Sequence, residues 1–540
     1  MATMRFQLTL PAMLERAEQV FPRKEVVSRT ASGISRYTYR EYGLRVRKLA
    51  SALAALGVQR GDRVATLAWN HHRHLEVYFA APCMGAVYHT LNLRLPPAHL
   101  SHVITHAGDR VVLVDPDLLP LLEPLAPQLP SVEHYIVMND GPELPSTSLP
   151  NAKSYEALIA NAAPVRSWPE LDEWEPAGMC YSSATTGLPK GVTYTHRALW
   201  LHTMALGLAD TVGVSEKDTT MCIVPMFHAN AWGIPFAAVW MGAKQVLPGP
   251  RPDPRVYCEL IQNEKVTLTA GVPTIWMAVL SFLEKEHYDF SSLNRVVCGG
   301  SAPPRALIEA FERKLGVPFI HGYGMTEAAP LTHLSVFKSH MADWEADRRY
   351  AVKAKQGLLV PGLVMRVVGQ QGTDVNWDGK SLGQVWLRGP WIADKYHNDP
   401  RSAETFVDDW YQTGDVAAVD EEGYLIIADR MKDIIKSGGE WISSVDLENA
   451  IMAHPGVAEA AVIGVAHAKW QERPLACVVV KPGHAVSKAD IVDHLRQHFT
   501  SWWIPDEVLF IAEVPKTSVG KFDKKTLRER YAEILVSQTP

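Results

Sequence analysis

Short β-branched runs alternating with helix-patterned segments are the feature that most restricts this chain. From about residue 60 the order is DRVATLAW, HLEVYFAAPCMG, AVYHT, HLSHVITHA, DRVVLVD. It resumes with GMCYS, THRALWLHTMALG, TTMCIVP, AKQVLPG, TLTAGVP and NRVVCGG. Such alternation is the pattern of βαβ units with buried parallel strands, and two α/β subdomains are expected. PELPSTSLPNAK between them reads as a surface connection. After about residue 355 the strands become short and Gly/Asp-separated (VMRVVGQ, GQVWLRG, GYLIIADR), which predicts a small β-rich subdomain.

MKDIIKSGGEWIS follows, with Gly438 and Gly439 interrupting the pattern. The last boundary is placed near Lys432, giving a large domain over 1–431 and a small α+β lid over 432–540. Within the lid a helix should start at Ser443 with Asp446 three residues on, followed by strands AAVIGVA and LACVVVK, helix ADIVDHLRQHF and strand EVLFIAEV.

Composition narrows the function class. The chain has 540 residues, 47 % of them hydrophobic, so it has material for a sizeable core. A formal charge of -6 leaves no basic field to gather nucleic acid or anionic lipid. Six cysteines without a CxxC pair fit a reducing cytoplasm. The amino terminus reads as free of a secretion signal. The longest nearly unbroken apolar run, Ala231 to Ala243, is thirteen residues, too short to span a bilayer, so stable membrane insertion is not expected.

Four segments carry chemistry. Tyr181-Ser-Ser-Ala-Thr-Thr-Gly-Leu-Pro-Lys-Gly191, read as running from a strand directly into a helix, offers hydroxyls, a flexible backbone and a lysine to a polyphosphate, without being a Walker loop. His321-Gly-Tyr-Gly-Met-Thr-Glu327 lets a ring approach a planar base and supplies a hard oxygen ligand. In Tyr411-Gln-Thr-Gly-Asp415 an acid on a tight turn is positioned to accept from a ribose diol. Lysines of Val514-Pro-Lys-Thr-Ser-Val-Gly-Lys521 reach for an anion or for solvent. Taken singly, each also fits an ordinary polar turn. His71, His72 and His74 have no partnering acids or cysteines at ligand spacing and are not read as a metal site.

In this order, and with PMFHANAW, GGSAPP and DRMKDIIKSGGEWIS among them, the segments resemble the AMP-forming adenylating enzymes: acyl-CoA synthetases, firefly luciferases and peptide-synthetase adenylation domains. The likeness covers essentially the whole chain. FHANAW, KSGGEWISS and KWQERP look most like medium- and long-chain fatty-acyl-CoA synthetases. The resemblance implies ATP, Mg²⁺, a fatty acid and coenzyme A, and two half-reactions. The carboxylate attacks the α-phosphorus of ATP and expels pyrophosphate; the thiol then displaces AMP from the acyl adenylate. It also implies a mobile lid and a possible homodimer.

The same resemblance carries roles onto residues. Ser183, Thr185, Thr186 and Lys190 hold the β- and γ-phosphates, Ser183 and Glu327 place Mg²⁺, and Thr326 holds the α-phosphate. Gly300, His321, Gly322 and Tyr323 line the adenine pocket, and Asp415 takes the ribose with help from Arg430. Lys521 stabilises the charge that develops in adenylation, and joins His228, Thr326 and Glu327 as the catalytic set. Ala229 is a cofactor-binding neighbour of His228, and Trp232 gates an apolar tunnel or is simply a core tryptophan. Lys432 is the hinge, Lys436 and Trp441 meet the nucleotide in the closed lid, and Gly438 and Gly439 let the pantetheine arm pass.

The chain departs from the family at Ala184, where glycine is usual, and at Ser182, where threonine is usual. An added Cβ in a phosphate-wrapping loop costs about 1 kcal/mol or more if the backbone needs positive φ. Two other readings stay open: a ligase for a short or thioether-containing acid, since that branch carries similar motifs, and, because of Ala184, an acyl-adenylate-binding protein without turnover.

Overall fold

The structure, a computed structural model, describes residues 5–182, 188–438, 440–467, 469–516 and 522–531. Two compact units divide the chain: Met1–Val364 with Arg388–Tyr411, and Met365–Leu387 with Gln412–Pro540.

The first unit contains the two α/β subdomains. One sheet has seven strands in the spatial order Ala152–Ser154, His134–Val137, Asp109–Val114, Arg63–Leu67, Val87–Thr90, Pro176–Tyr181, Gly191–Thr195. Every neighbouring pair is parallel except the last. Val64–Leu67 and Val111–Val114 are buried without alternation, as strands covered on both faces must be. Helix His72–Cys83 has all twelve residues buried. Its charged members survive there because they are paired: Glu76 accepts from Tyr37 and Arg45, and Arg73 is bonded to Glu156 and Asp140.

The second sheet has nine strands. Phe319–Gly324, Arg295–Cys298, Leu268–Gly271, Thr219–Cys222 and Lys244–Leu247 run parallel in that spatial order. Glu25–Thr30 extends them, parallel to Lys244–Leu247, with Gly33–Thr38 antiparallel outside it. The alternation read from residue 60 onward missed these two strands. They form a hairpin whose outer strand is largely exposed, so neither the βαβ rhythm nor a buried run marks them.

Mostly in the second unit, Val364–Val368, Gly383–Arg388 and Trp410–Val419 lie side by side, and Leu425–Arg430 returns antiparallel to the last. Beyond it stands a sheet of Glu440–Ile442, Ile435–Ser437, Gln471–Val480 and Val457–His467, with Glu507–Phe510 parallel to Gln471–Val480. Helix Ser444–Ala453 begins as expected: Ser443 caps it, its hydroxyl accepting from the Asp446 N–H at 3.0 Å. No helix among the described residues is long and apolar enough to cross a membrane.

Candidate active site

Strands Thr219–Cys222, Arg295–Cys298 and Phe319–Gly324 deliver FHANAW, GGSAPP and GYGMTE from their carboxyl ends, where ligands of open parallel sheets bind. The phosphate segment is built differently. It joins Pro176–Tyr181 to the antiparallel strand Gly191–Thr195, and only then comes helix His196–Leu206. The expected run from strand straight into helix is thereby corrected to a hairpin connection. No helix N-terminus therefore follows the segment directly. The Ser182 N–H bonds the Lys190 carbonyl at 2.9 Å and closes the base of the hairpin. Ser183, Ala184, Thr185 and Thr186 lie outside the described residues, as do Gly439 and Lys521.

Lys190 and Glu327 are joined by a residue that motif reading did not single out. The Tyr396 hydroxyl donates to Glu327 Oε1 at 2.7 Å and accepts from Lys190 Nζ at 2.8 Å. The ammonium also lies 4.0 Å from the ring centroid. Burial, and then the Glu327 charge, raise the Tyr396 hydroxyl pKa, so it stays a protonated donor. The Ala393 N–H holds the Glu327 carbonyl at 2.7 Å, and the Tyr194 hydroxyl holds the Thr326 carbonyl at 2.7 Å. Tyr396 comes from WIADKYHND, which carries no glycine or hydroxyl cluster to betray it, and Tyr194 lies on the strand GVTYT just past the Tyr181–Gly191 segment.

Glu327 is 6 % exposed and keeps acceptor capacity beyond its one phenol bond. A hard carboxylate of this kind fits Mg²⁺, which takes one or two carboxylates together with substrate phosphates. Among the described residues no group of three or more His, Cys, Asp and Glu is placed to hold a metal. His71 instead bonds Asp115 at 2.7 Å and His74 bonds Thr66 at 2.9 Å. Asp115 is the acid partner that local spacing did not reveal.

A cavity brings together His228, Ala229, Trp232, Gly300, Gly322, Tyr323 and Thr326. Its remaining wall is mostly apolar, with Leu206, Val212, Ile234, Val297 and Leu331. The backbones at its floor touch: a Cβ on Gly299 would lie 2.6 Å from the Gly322 carbonyl oxygen. Opposite stands a run of left-handed residues, Ala229, Asn230, Ala231 and Trp232, with φ of 43°, 58°, 48° and 58°. L-residues resist that conformation by about 1 kcal/mol or more each, so the turn must be held from outside. The buried Tyr88 hydroxyl does so, donating to Asn230 Oδ1 at 2.6 Å. His321 is not among the lining residues. Its Nδ1 bonds the Ala354 carbonyl at 3.1 Å, and burial lowers its pKa to about 4, leaving a neutral ring.

In the second unit Asp415 does not sit on a tight turn, as expected, but within strand Trp410–Val419. It faces Arg430 across the ladder, with Arg430 Nε 2.6 Å from Oδ1. Gly414, at φ 74°, supplies the local kink. Lys432 lies two residues past the end of Leu425–Arg430. Lys436 pairs with Trp441 across the hairpin of Ile435–Ser437 and Glu440–Ile442, and Gly438 stands at its tip.

Comparison with known proteins agrees with this arrangement. The AMP-binding enzyme profile matches residues 14–397, and the AMP-binding enzyme C-terminal domain profile matches 446–521. The chain belongs to the AMP-binding enzyme family. Two relatives are a long-chain-fatty-acid–CoA ligase of Thermus thermophilus and a medium-chain-fatty-acid–CoA ligase of Ectopseudomonas oleovorans. The first is 50 % identical over 97 % of this chain and 96 % of its own. The second is 42 % identical over 99 % and 98 %. Among solved structures, the anthranilate CoA ligase AuaEII in complex with anthranoyl-AMP is 27 % identical, with a TM-score of 0.83 over 99 % of both chains. An AMP-binding enzyme is therefore what the two α/β sheets, the β-rich subdomain and the small terminal domain compose.

Proposed function

We propose that this AMP-binding enzyme is a fatty acid:CoA ligase that activates a medium- or long-chain acid with ATP and passes the acyl group to coenzyme A. One observation carries the reading: a single cavity has a glycine, tyrosine and threonine wall suited to adenylate and an apolar wall suited to an acyl chain. An acyl adenylate joins those two chemistries in one molecule. The named fatty-acid ligases among the relatives support the same substrate class.

Bringing a carboxylate onto ATP sets anion against polyanion, so the first half-reaction needs charge neutralisation and alignment more than acid or base chemistry. Lys190, which Tyr396 steadies, takes the outer phosphates, and Glu327 with Ser183 would hold Mg²⁺. When bound, Mg²⁺ would offset phosphate charge. Thr326 takes the α-phosphate and Asp415, with Arg430, the ribose; His228 orients the acyl carboxylate; Trp232 gates the chain. The carboxylate oxygen bonds to the α-phosphorus as the bond to pyrophosphate breaks. Coenzyme A sulfur then bonds to the acyl carbon, AMP leaves with the mixed-anhydride electron pair, and the thiol proton passes to solvent.

The lid is assigned to 432–540, hinged at Lys432, with Lys521 serving adenylation. A cytoplasmic homodimer completes the proposal. The six cysteines, all buried and unbridged, support a reducing compartment, and light scattering tests the dimer. AMP release dependent on coenzyme A, measured on acids from four to eighteen carbons and on a thioether propionate, tests the substrate. Preference for the longer acids is expected, and no AMP with any acid would overturn the reading. Lys521→Ala is expected to remove adenylation yet leave thioester formation from supplied acyl adenylate. Equal loss of both would refute its role.

A further inference from the structure

The hairpin carrying Lys436, Gly438 and Trp441 is held by side chains that neither nucleotide nor metal binding uses. Arg473, on Gln471–Val480, has a side chain only 7 % exposed. Its guanidinium is fully engaged. Nη1 donates to Ser437 Oγ at 3.2 Å and to the Trp502 carbonyl at 2.7 Å. Nη2 donates to the Ile504 carbonyl at 3.1 Å and to Asp506 Oδ1 at 2.7 Å, and Nε donates to Asp506 as well. One buried cation thus ties the hairpin, at Ser437, to the 502–506 loop.

That loop presents an indole to the hairpin tip. Trp502 packs edge-on to Trp470, with centroids 4.8 Å apart at 85°, and the Arg473 guanidinium lies 5.0 Å from the Trp502 ring. A Cβ on Gly438 would come 2.7 Å from Trp502 Cζ2 and 3.3 Å from Trp470 Cε3. Gly438 also has φ 58°, and its N–H bonds the Trp470 carbonyl at 2.9 Å. Trp502 Nε1 is buried without a partner among the described residues. Ring position, rather than a hydrogen bond of the indole, is therefore what this contact preserves.

We propose that Arg473 and Trp502 are positioning residues for thioester formation, fixing the Ser437–Gly438 turn in the pose that admits the thiol arm of coenzyme A. The inference rests on the coenzyme A ligase reading above. Ser437, Gly438, Trp470, Arg473 and Trp502 all belong to the second unit, and none lines the adenylate cavity. Their loss should spare adenylation.

The test uses the full-length enzyme as Arg473→Met, Trp502→Ala and Trp502→Phe, with the half-reactions measured apart. Pyrophosphate exchange reports adenylation, and coenzyme A consumption with supplied acyl adenylate reports transfer. Arg473→Met and Trp502→Ala are expected to raise the coenzyme A KM and slow transfer, together by about tenfold or more. Exchange should stay within about twofold, and Trp502→Phe should restore most of the transfer. Parallel loss of both half-reactions, or no change in either, would overturn the inference. If Arg473→Met does not fold, the two Trp502 variants decide the question alone. An unmodified enzyme that exchanges pyrophosphate but forms no thioester refutes the coenzyme A reading, and this inference with it. Normal turnover with unmoved variants refutes the inference only.

Discussion

Glu327 in the first unit and Asp415 in the second are both buried acids, and the partners facing them are chemically opposite. Glu327 meets the neutral hydroxyl of Tyr396, whereas Asp415 meets the guanidinium of Arg430. A phenol satisfies an oxygen without bringing a positive charge, which suits Glu327 to its proposed cation. A guanidinium brings a positive charge, which suits Asp415 to its proposed neutral hydroxyl partners. The side chain set against each carboxylate thus decides what that carboxylate can bind.

The strongest way to break this contrast is Glu327→Gln. Removing the cation site should reduce pyrophosphate exchange by roughly 10³-fold, with circular dichroism unchanged. Survival of exchange at ordinary Mg²⁺ would place the metal elsewhere. Tyr396→Phe keeps the charge but releases both of its partners, so exchange should fall by about tenfold and recover partly as Mg²⁺ is raised. A loss insensitive to Mg²⁺ would make Tyr396 a packing residue.

Asp415→Asn should be milder, raising the ATP KM several-fold, roughly 1 kcal/mol. Under its proposed role at the ribose, 2′- and 3′-deoxy-ATP should lose less on the variant than on the parent. Equal losses would remove Asp415 from the ribose.

A third buried acid extends the comparison. Glu448 lies 2.8 Å from Lys524, yet burial outweighs the cation and raises its pKa from 4.5 to about 7. The folded form then holds its proton over a range where the unfolded chain has lost it. This group's contribution to stability is complete below about pH 4.5 and is lost as pH rises through about 7. Thermal unfolding across that window should show the decline, and Glu448→Gln should flatten it. An unchanged slope would assign the decline to other groups.

Much of the first unit was legible in its sequence because buried parallel strands write continuous β-branched runs. DRVVLVD became Asp109–Val114, and NRVVCGG became Arg295–Cys298. Residues within recognisable motifs, such as Tyr323 and Thr326 in GYGMTE and Trp232 in FHANAW, were legible as candidates too, and the cavity draws them together. Tyr396 was not, because it lies 69 residues from Glu327 and nothing in its own segment signals a partner. Arg473 was hidden similarly, since a charged residue in a strand reads as exposed until the loop at 502–506 folds over it. Asp415 shows the reverse case: TGD looks like a turn, and the ladder to Leu425–Arg430 makes it a strand.

The pairing of Glu25–Thr30 with Lys244–Leu247 has a consequence in time. Val26 lies opposite Gln245, so the first strand emerges about 220 residues before its parallel neighbour. At synthesis rates of roughly 5–20 residues per second, that is a wait of about 10–40 seconds. Throughout that interval the Val26–Val27 edge has only Gly33–Thr38 beside it. The nascent chain therefore carries an open apolar strand edge for most of the making of its first unit, and ribosome-associated holding factors should matter most to it then.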